Sequence, residues 1–402
     1  MPVGTTGFIG ERLAEAREAR GLSNSSLAEI LGLSATAISQ YERGFSTPRP
    51  EITAIIAEKL NLPRSFFLRK LQSNSFNVLF WRSMTSATKA ARIKARRKFE
   101  WLKDISAYLK EYLDFPELNF PDSKSLGVPP NPLELSNQKI ENIAEECREF
   151  WKLGNAPIAD FVLFLENNGA VITRGRLEVE KLDAFSQFSD TDQTPYIFLM
   201  SDKESAVRSR LDAAHELGHL ILHGDVQEKH LANPQIYKTI EEQAFLFGSA
   251  FLMPSKAFTD ELWLPSLDAF RSLKERWRVS IGAMIKRCNE LGLISDNETA
   301  RIWISYNRRG WKKREPLDDD LISEQPRLLR RSFELLIDEN IKTREQILHD
   351  LSYSANDIED LAGLPSGYFR EELGQIKVFP KIKTQENTAN TNGTVIQFTR
   401  NR

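Results

Sequence analysis

The stretch LDAAHELGHLILHG, residues 211–224, decides how the rest of the chain is interpreted. It places the pattern H-E-x-x-H in an apolar segment without proline, which predicts a helix. Residues four apart project from one face of an α-helix, so His215 and His219 can bind the same metal ion. Glu216 directly follows His215, close enough to reach a water molecule on that metal without being a ligand. The stretch therefore predicts a metal site with Glu216 as general base.

The alternative is an ordinary helix that happens to carry two histidines. Its apolar neighbours, among them Ala213, Ala214 and Leu217, argue against that interpretation. Two histidines and a glutamate in such a helix carry a desolvation cost, which a bound metal ion offsets. We predict Zn²⁺ as the metal, because it is the usual ion for two histidines and one carboxylate; Mn²⁺ and Fe²⁺ stay open as alternatives.

A zinc site of this kind needs a third protein ligand. The next predicted helix, TIEEQAFLFGSAFLMP at 239–254, carries Glu241 on the same side as its apolar stripe. We therefore predict Glu241 as the third ligand. His223 lies two helical turns beyond His215 and stays open as an alternative ligand, whereas His230 is predicted to lie in a loop.

These two segments carry a resemblance to a known family. The pair HELGHLILH and E-x-Q-A-x-x-F-x-x-A-F-L-M-P resembles the ImmA/IrrE metallopeptidases over about residues 140–260. The resemblance implies a catalytic role for Glu216 and a zinc ion on His215, His219 and Glu241. The chain departs from the family at Phe245, where Asn or Asp is usual. That side chain would contact a metal-binding histidine, so the departure bears on how the histidine is oriented.

A second motif, LSNSSLAEILGLSATAISQYERG, occupies residues 22–44. Gly32 allows a tight turn between two short predicted helices. The side chains predicted to lock the two helices together are Leu27, Ile30, Leu33 and Ile38. The pattern resembles lambda-repressor-type (XRE) domains over residues 7–70, which implies a five-helix domain that binds DNA.

In such a domain the second motif helix lies in the major groove of DNA. The residues predicted to meet base edges are Ala35, Thr36, Ser39 and Gln40. Gln40 can pair with adenine, since its amide offers a donor and an acceptor side by side. Asn24 and Arg43 are predicted to contact phosphates. One domain reads only a short half-site, so we expect a homodimer on a double-stranded operator.

Charge is distributed unevenly along the 402 residues, although the net charge is only −2. Residues 1–110 hold 18 basic and 9 acidic side chains, which leaves 36 basic and 47 acidic ones in the remainder. A basic N-terminal quarter is typical of a module that binds a polyanion. We find no signal-peptide pattern, no apolar run of about 20 residues and no C-x-x-C pair. We therefore expect a cytoplasmic protein without membrane contact.

The chain as a whole is predicted to be mainly α with a small β-sheet, an α+β fold in which the H-E-x-x-H helix belongs to a zincin-like domain. The runs GAVITRG, DAFSQFS and YIFLMSD predict strands, and the run RIWISYN predicts another. A long basic helix at 89–113 is either a solvated face or a second phosphate-contacting surface. The predicted divisions are a helix-turn-helix domain at 7–70, a helical connector and linker at 75–133, a metallopeptidase domain at 135–300, a mixed, mostly helical region at 301–383 and a polar, partly disordered tail at 384–402.

Together the motifs predict a DNA-binding transcriptional regulator with a zinc endopeptidase domain. Its predicted substrate is a protein, namely a helix-turn-helix repressor cleaved in a stress or phage-type response. The alternative is a non-enzymatic transcription factor or antitoxin whose peptidase-like domain is structural or sensory, which Phe245 favours. A third interpretation is a general protease that carries a DNA-binding domain.

Overall fold

The computed structural model describes residues 4–70, 80–81, 88–175, 184–189, 191–201 and 205–370. Within these ranges the protein is mainly helical with one small sheet, so the predicted α+β class is confirmed. None of the helices in this part of the chain is long and apolar enough to cross a membrane. The tail predicted at 384–402 lies outside the described residues.

The N-terminal helices form a small bundle. They are α1 (Gly10–Ala19), α2 (Asn24–Leu31), α3 (Ala35–Glu42), α4 (Pro50–Lys59) and a 3₁₀-helix (Arg64–Leu68). The Ser34 hydroxyl caps α3 by accepting a hydrogen bond from Ala37 N at 3.1 Å, and Gly32 takes a left-handed φ of 65° before it. The prediction for Ile30 was wrong, since its side chain is 45% exposed. The inward stripe of α2 runs through Leu27 and Ala28, and Ile30 projects away from it.

The long helix α5 (Lys89–Lys110) is a core element of the fold. Trp101 is fully buried, and its Nε1–H donates to the Glu15 carboxylate of α1 at 2.7 Å. Lys98 belongs to the face that was predicted to be solvated or to contact phosphate. It is instead buried and forms an ion pair with Asp357. The helix thus contributes both packing and a buried ion pair to the core of the fold.

The sheet contains the three predicted runs. Its strands are β1 (Phe80–Trp81), β2 (Val171–Gly175), β3 (Ala184–Phe188) and β4 (Pro195–Met200), in the order β1-β3-β4-β2. The pair β2 and β4 is parallel, while β3 is antiparallel to both β1 and β4. The central strand β4 is buried at every position, which is typical of a strand covered on both faces.

Two hydrophobic cores lie on opposite faces of this sheet. Ile197 and Leu199 of β4 belong to the core that surrounds the H-E-x-x-H helix. Tyr196, Phe198 and Met200 belong to the core shared by α5 and the N-terminal bundle. Successive side chains of a strand point to opposite faces, so each core receives alternate residues of the same strand.

The core around the H-E-x-x-H helix is otherwise helical. Its elements are α6 (Asn137–Phe150), α7 (Phe161–Asn167), α8 (Ala206–Leu222), α9 (Glu228–Leu231), α10 (Pro234–Leu252), α11 (Ser255–Glu261), α12 (Leu267–Trp277), α13 (Ile281–Glu290) and α14 (Asp296–Arg308), with a 3₁₀-helix at Pro132–Glu134. The strand predicted for RIWISYN was wrong, because this run lies in α14. A capping box between Ser295 and Glu298 starts that helix. Tyr306 is buried while Ile304 is 59% exposed, as helical periodicity requires and strand alternation forbids.

Three C-terminal helices pack against α5, and two of them also contact the N-terminal bundle. They are α15 (Leu328–Asp338), α16 (Arg344–Leu351) and α17 (Ala355–Ala362). Arg20 donates to both carboxylate oxygens of Asp357 at 2.8 and 2.7 Å. Arg69 donates to the carbonyl oxygens of Asp350 and Leu351 at 3.0 and 2.8 Å. One core therefore joins the first, second and fourth predicted divisions of the chain and one face of the sheet in the third. The boundaries between the divisions stay a proposal.

Candidate metal centre and nucleic-acid interface

The metal centre predicted from the sequence lies where α8 crosses α10. Two glycines let the helix backbones approach each other closely. A Cβ atom on Gly218 of α8 would lie 2.8 Å from the carbonyl oxygen of Ala244. A Cβ atom on Gly248 of α10 would lie 2.9 Å from the backbone nitrogen of His215. Neither distance is compatible with a side chain, so the crossing depends on both glycines.

This crossing brings the three predicted ligands together. The Nε2 atoms of His215 and His219 are 2.9 Å apart, and each lies 3.4 Å from a carboxylate oxygen of Glu241. Donors about 2 Å from a tetrahedral zinc ion are separated by about 3.3 Å, so the spacing fits that ion. Two imidazole nitrogens and a carboxylate that converge in this way form a favourable site for a divalent cation.

The electrostatics of Glu241 agree with a ligand role. Burial by itself raises the pKa of this carboxyl group. The contacts with the rings of His215 and His219 outweigh that effect and hold the pKa of Glu241 well below its usual range. The carboxyl group is therefore ionised at neutral pH, as metal binding requires.

Glu216, the predicted general base, is fully buried beside the sheet. The Ser186 hydroxyl of β3 donates a hydrogen bond to Glu216 Oε2 at 2.6 Å. Ser186 is itself fully buried, and its strand is held in register by β4. The sequence offered no signal for this contact, because Ser186 sits in a short strand and meets Glu216 only through the tertiary fold.

His223 does not join the three-ligand cluster of the described residues. Its Nδ1 lies 3.1 Å from His219 Nδ1, and its Nε2 lies 3.1 Å from Gln243 Oε1. Burial lowers the pKa of His223 to about 3, so the ring is neutral. His230, predicted to lie in a loop, is part of the short helix α9. Like Ser186, Gln243 was missed by sequence reasoning. The signal that could have found it is its polar side chain on the apolar stripe of α10.

Phe245, the departure from the family pattern, is partly buried at the edge of the core. The ammonium group of Lys286 from α13 lies 3.5 Å from the centre of its ring. This is a cation–π contact, and it provides no hydrogen bond to an imidazole. Any polar support for the histidines must therefore come from another residue.

The predicted DNA-contacting residues lie on and around α3. Its central residue Ile38 is fully buried, so the opposite side of the helix faces solvent. The exposed members of the set are Ala35, Thr36, Gln40 and Arg43, and Ser39 is half-buried. Asn24 donates to Glu42 at 3.3 Å, and Arg17 holds the same carboxylate at 2.6 Å. This geometry is compatible with insertion of α3 into a major groove, and the individual base and phosphate contacts stay predictions.

Two family models match the chain. Residues 13–67 match a model described as Helix-turn-helix, and residues 165–289 match one described as IrrE N-terminal-like domain. The second match spans α8 and α10 and therefore includes the whole predicted metal centre. The predicted union of an XRE-type helix-turn-helix domain with an ImmA/IrrE-like metallopeptidase domain is confirmed by these matches. No curated protein matches the chain.

Proposed function

We propose that this union of a helix-turn-helix domain and an IrrE-like domain is a transcriptional regulator that also works as a zinc-dependent endopeptidase. The observation that carries the proposal is the convergence of His215, His219 and Glu241 beside Glu216. These four residues have the chemical types that hydrolysis of a peptide bond by a metallopeptidase uses.

His215, His219 and Glu241 would hold the ion. A zinc ion, when bound, supplies Lewis-acid chemistry that acidifies water and polarises a peptide carbonyl. Glu216 would accept the proton of the attacking water and deliver it to the leaving amine. The hydrogen bond from Ser186 orients one of its carboxylate oxygens, so that the side chain keeps one position through both proton transfers.

The proposed substrate is a helix-turn-helix repressor, and the proposed setting is a stress or phage-type response in the cytoplasm. A recognition helix on the same chain supports this proposal, because binding of a double-stranded operator would bring the peptidase domain close to proteins on the DNA. We also propose a homodimer, since two recognition helices are needed to read two half-sites.

The burial of the predicted metal centre favours a second function. His215 is 2% exposed, and His219 and Glu216 are completely buried, which leaves a peptide little access to them. Phe245 points in the same direction, because it replaces a polar residue of the family pattern. The second candidate is therefore a non-enzymatic transcription factor or antitoxin, in which the peptidase-like domain is structural or sensory.

The deciding experiment compares Glu216→Gln with the wild-type chain. Both are loaded with zinc and incubated with the helix-turn-helix repressor encoded nearest to this gene, and intact masses are followed. We expect the wild type to cut at one position and Glu216→Gln to be about 100-fold slower or worse, with its zinc content unchanged. His215→Ala should lose the zinc.

The matched control is Glu242→Gln, which alters an exposed carboxylate one residue from Glu241. It should cleave like the wild type. Equal cleavage by Glu216→Gln would contradict the proposed mechanism. A wild-type chain that binds DNA and zinc but leaves the repressor intact would favour the non-enzymatic candidate.

A further inference from the structure

A line of polar contacts runs from the metal centre to the backbone around the 3₁₀-helix Pro132–Glu134. At its far end, Gln243 Nε2 donates to the carbonyl oxygens of Pro132 at 2.6 Å and Leu135 at 3.2 Å. Carbonyl oxygens only accept hydrogen bonds, so the atom facing them must be the amide nitrogen. Gln243 is 4% exposed, and a flipped amide would place three buried oxygens against one another. The orientation of this amide is therefore determined by the backbone.

The amide in turn determines where His223 carries its proton. Gln243 Oε1 can only accept, and it lies 3.1 Å from His223 Nε2, so Nε2 is the protonated nitrogen. His223 is fully buried and neutral, so its ring holds a single proton. Its Nδ1 atom is therefore a hydrogen-bond acceptor.

The acceptor on His223 selects the tautomer of His219. The two Nδ1 atoms are 3.1 Å apart, so His219 must donate from Nδ1. A neutral His219 then has its lone pair on Nε2. That nitrogen is the one that faces His215 and Glu241. Two carbonyl groups far from the motif in sequence thus determine which nitrogen of His219 is available to a metal ion.

We propose that His223 and Gln243 are positioning residues that hold His219 in the tautomer and orientation of a zinc ligand. The inference rests on the proposed metal centre. These residues act through His219, and neither contacts substrate. They also supply the hydrogen bond to a ligand histidine that Phe245 lacks the chemistry to make.

The test measures zinc affinity of the purified full-length chain by competition with a chromophoric chelator. His223→Leu keeps an apolar side chain in the space but removes the acceptor for His219. We expect zinc affinity to fall about 10- to 100-fold, the usual range for loss of a partner of a ligand histidine. His223→Asn places an amide oxygen near the position of Nδ1, so most of the affinity should return.

A second variant and a spectroscopic measurement extend the test to Gln243. Gln243→Leu removes the acceptor for His223, so zinc affinity should fall in the same direction as in His223→Leu. With Co²⁺ in place of zinc, both variants should change the visible ligand-field bands, because the geometry around the ion depends on the orientation of His219.

The control is Leu222→Ala, which truncates a buried side chain directly before His223 in the sequence without removing a hydrogen bond to His219. It should destabilise the fold with little change in zinc affinity. Equal zinc affinities for His223→Leu and Leu222→Ala would overturn the inference. Failure of the wild type to bind zinc would overturn both this inference and the metal centre. Zinc binding that weakens in His223→Leu, without any cleavage by the wild type, would support the inference and contradict only the peptidase function.

Discussion

The exposed face of α3, with the predicted recognition residues Thr36 and Gln40, and the predicted metal centre between α8 and α10 depend on the rest of the protein in opposite ways. Thr36 and Gln40 are exposed to solvent, whereas His219 and Glu216 are completely buried. An exposed side chain can be replaced without repacking its neighbours, but a buried one takes part in the fold that positions it. We therefore expect substitutions on α3 to change function without changing stability, and substitutions at the predicted metal centre to change both.

A buried core that includes distant parts of the chain lies behind α3. The helix-turn-helix bundle shares a core with α5 and with the C-terminal helices, and Asp357 of α17 pairs with both Arg20 and Lys98. The exposed face of α3 therefore belongs to a bundle whose core is completed by distant parts of the chain. Three substitutions test how far function and stability can be changed independently. They are given in order of decreasing effect on stability.

The largest effect is expected from Asp357→Asn, which leaves Lys98 buried without its anionic partner. Loss of one member of a buried ion pair costs about 3–5 kcal/mol, so we expect a fall of about that size in the free energy of unfolding. Urea denaturation followed by fluorescence measures it. The exposed Glu345→Gln on α16 serves as control and should change little. Equal stabilities for the two variants would mean that the helix-turn-helix bundle does not depend on the C-terminal helices.

The stability lost in Asp357→Asn is expected to depend on pH. Burial raises the pKa of Asp357, but hydrogen bonds and charge from Arg20 and Lys98 outweigh it and lower that pKa to about 2. A carboxylate whose folded pKa is depressed contributes stability above its unfolded pKa of about 4, and that contribution disappears as the pH falls through the folded value. The stability difference between wild type and Asp357→Asn should therefore narrow between pH 4 and pH 2.

An intermediate effect is expected from Gly248→Ala at the helix crossing. The added methyl group meets the backbone of α8 beside His215, so α10 must move outward and carry Glu241 away from the histidines. Overpacking of this kind costs about 1–3 kcal/mol, and zinc affinity should fall together with stability. Gly224→Ala is the matched control, because the nearest atom lies 4.0 Å from its Cβ position. Unchanged zinc affinity in Gly248→Ala would show that the centre tolerates displacement of the helices.

The smallest effect on the fold is expected from Gln40→Ala. Its amide is exposed, so stability should change by less than about 0.5 kcal/mol. Binding to a duplex selected from a random-sequence pool should lose about 1–3 kcal/mol of discrimination at one base pair. Arg43→Ala is the comparison, since loss of a phosphate contact weakens binding to all sequences alike and reduces the salt dependence. If Gln40→Ala also weakens all sequences equally, Gln40 contacts the backbone and its predicted role is wrong.

Sequence reasoning succeeded where a function depends on local spacing. The interval between His215 and His219 places both on one helical face, and the turn at Gly32 separates two short helices, so both motifs could be recognised without a fold. Glu241 needed one further step, namely the apolar stripe of the next helix. The structure brings its carboxylate within 3.4 Å of both histidines, and its role as a ligand stays a prediction.

The same reasoning failed where a short run is compatible with two periodicities. RIWISYN has the β-branched and aromatic side chains of a strand, yet the capping box at Ser295 starts a helix there. Ile30 matched an apolar pattern but lies on the outer side of α2. In both cases the direction in which a side chain is buried depends on neighbouring elements, which a local pattern does not contain.

The spacing of residues along the chain determines which chemical groups are available at each site. H-E-x-x-H at helical spacing offers two imidazoles and a carboxylate, and the short helices around Gly32 offer a recognition surface. The contacts of Ser186, His223 and Gln243 depend on the tertiary structure, because these residues meet the motif through strand pairing, helix crossing and the backbone near Pro132. Hydrogen bonds act over about 3 Å and depend on direction, so they are determined by packing between segments that are remote in sequence.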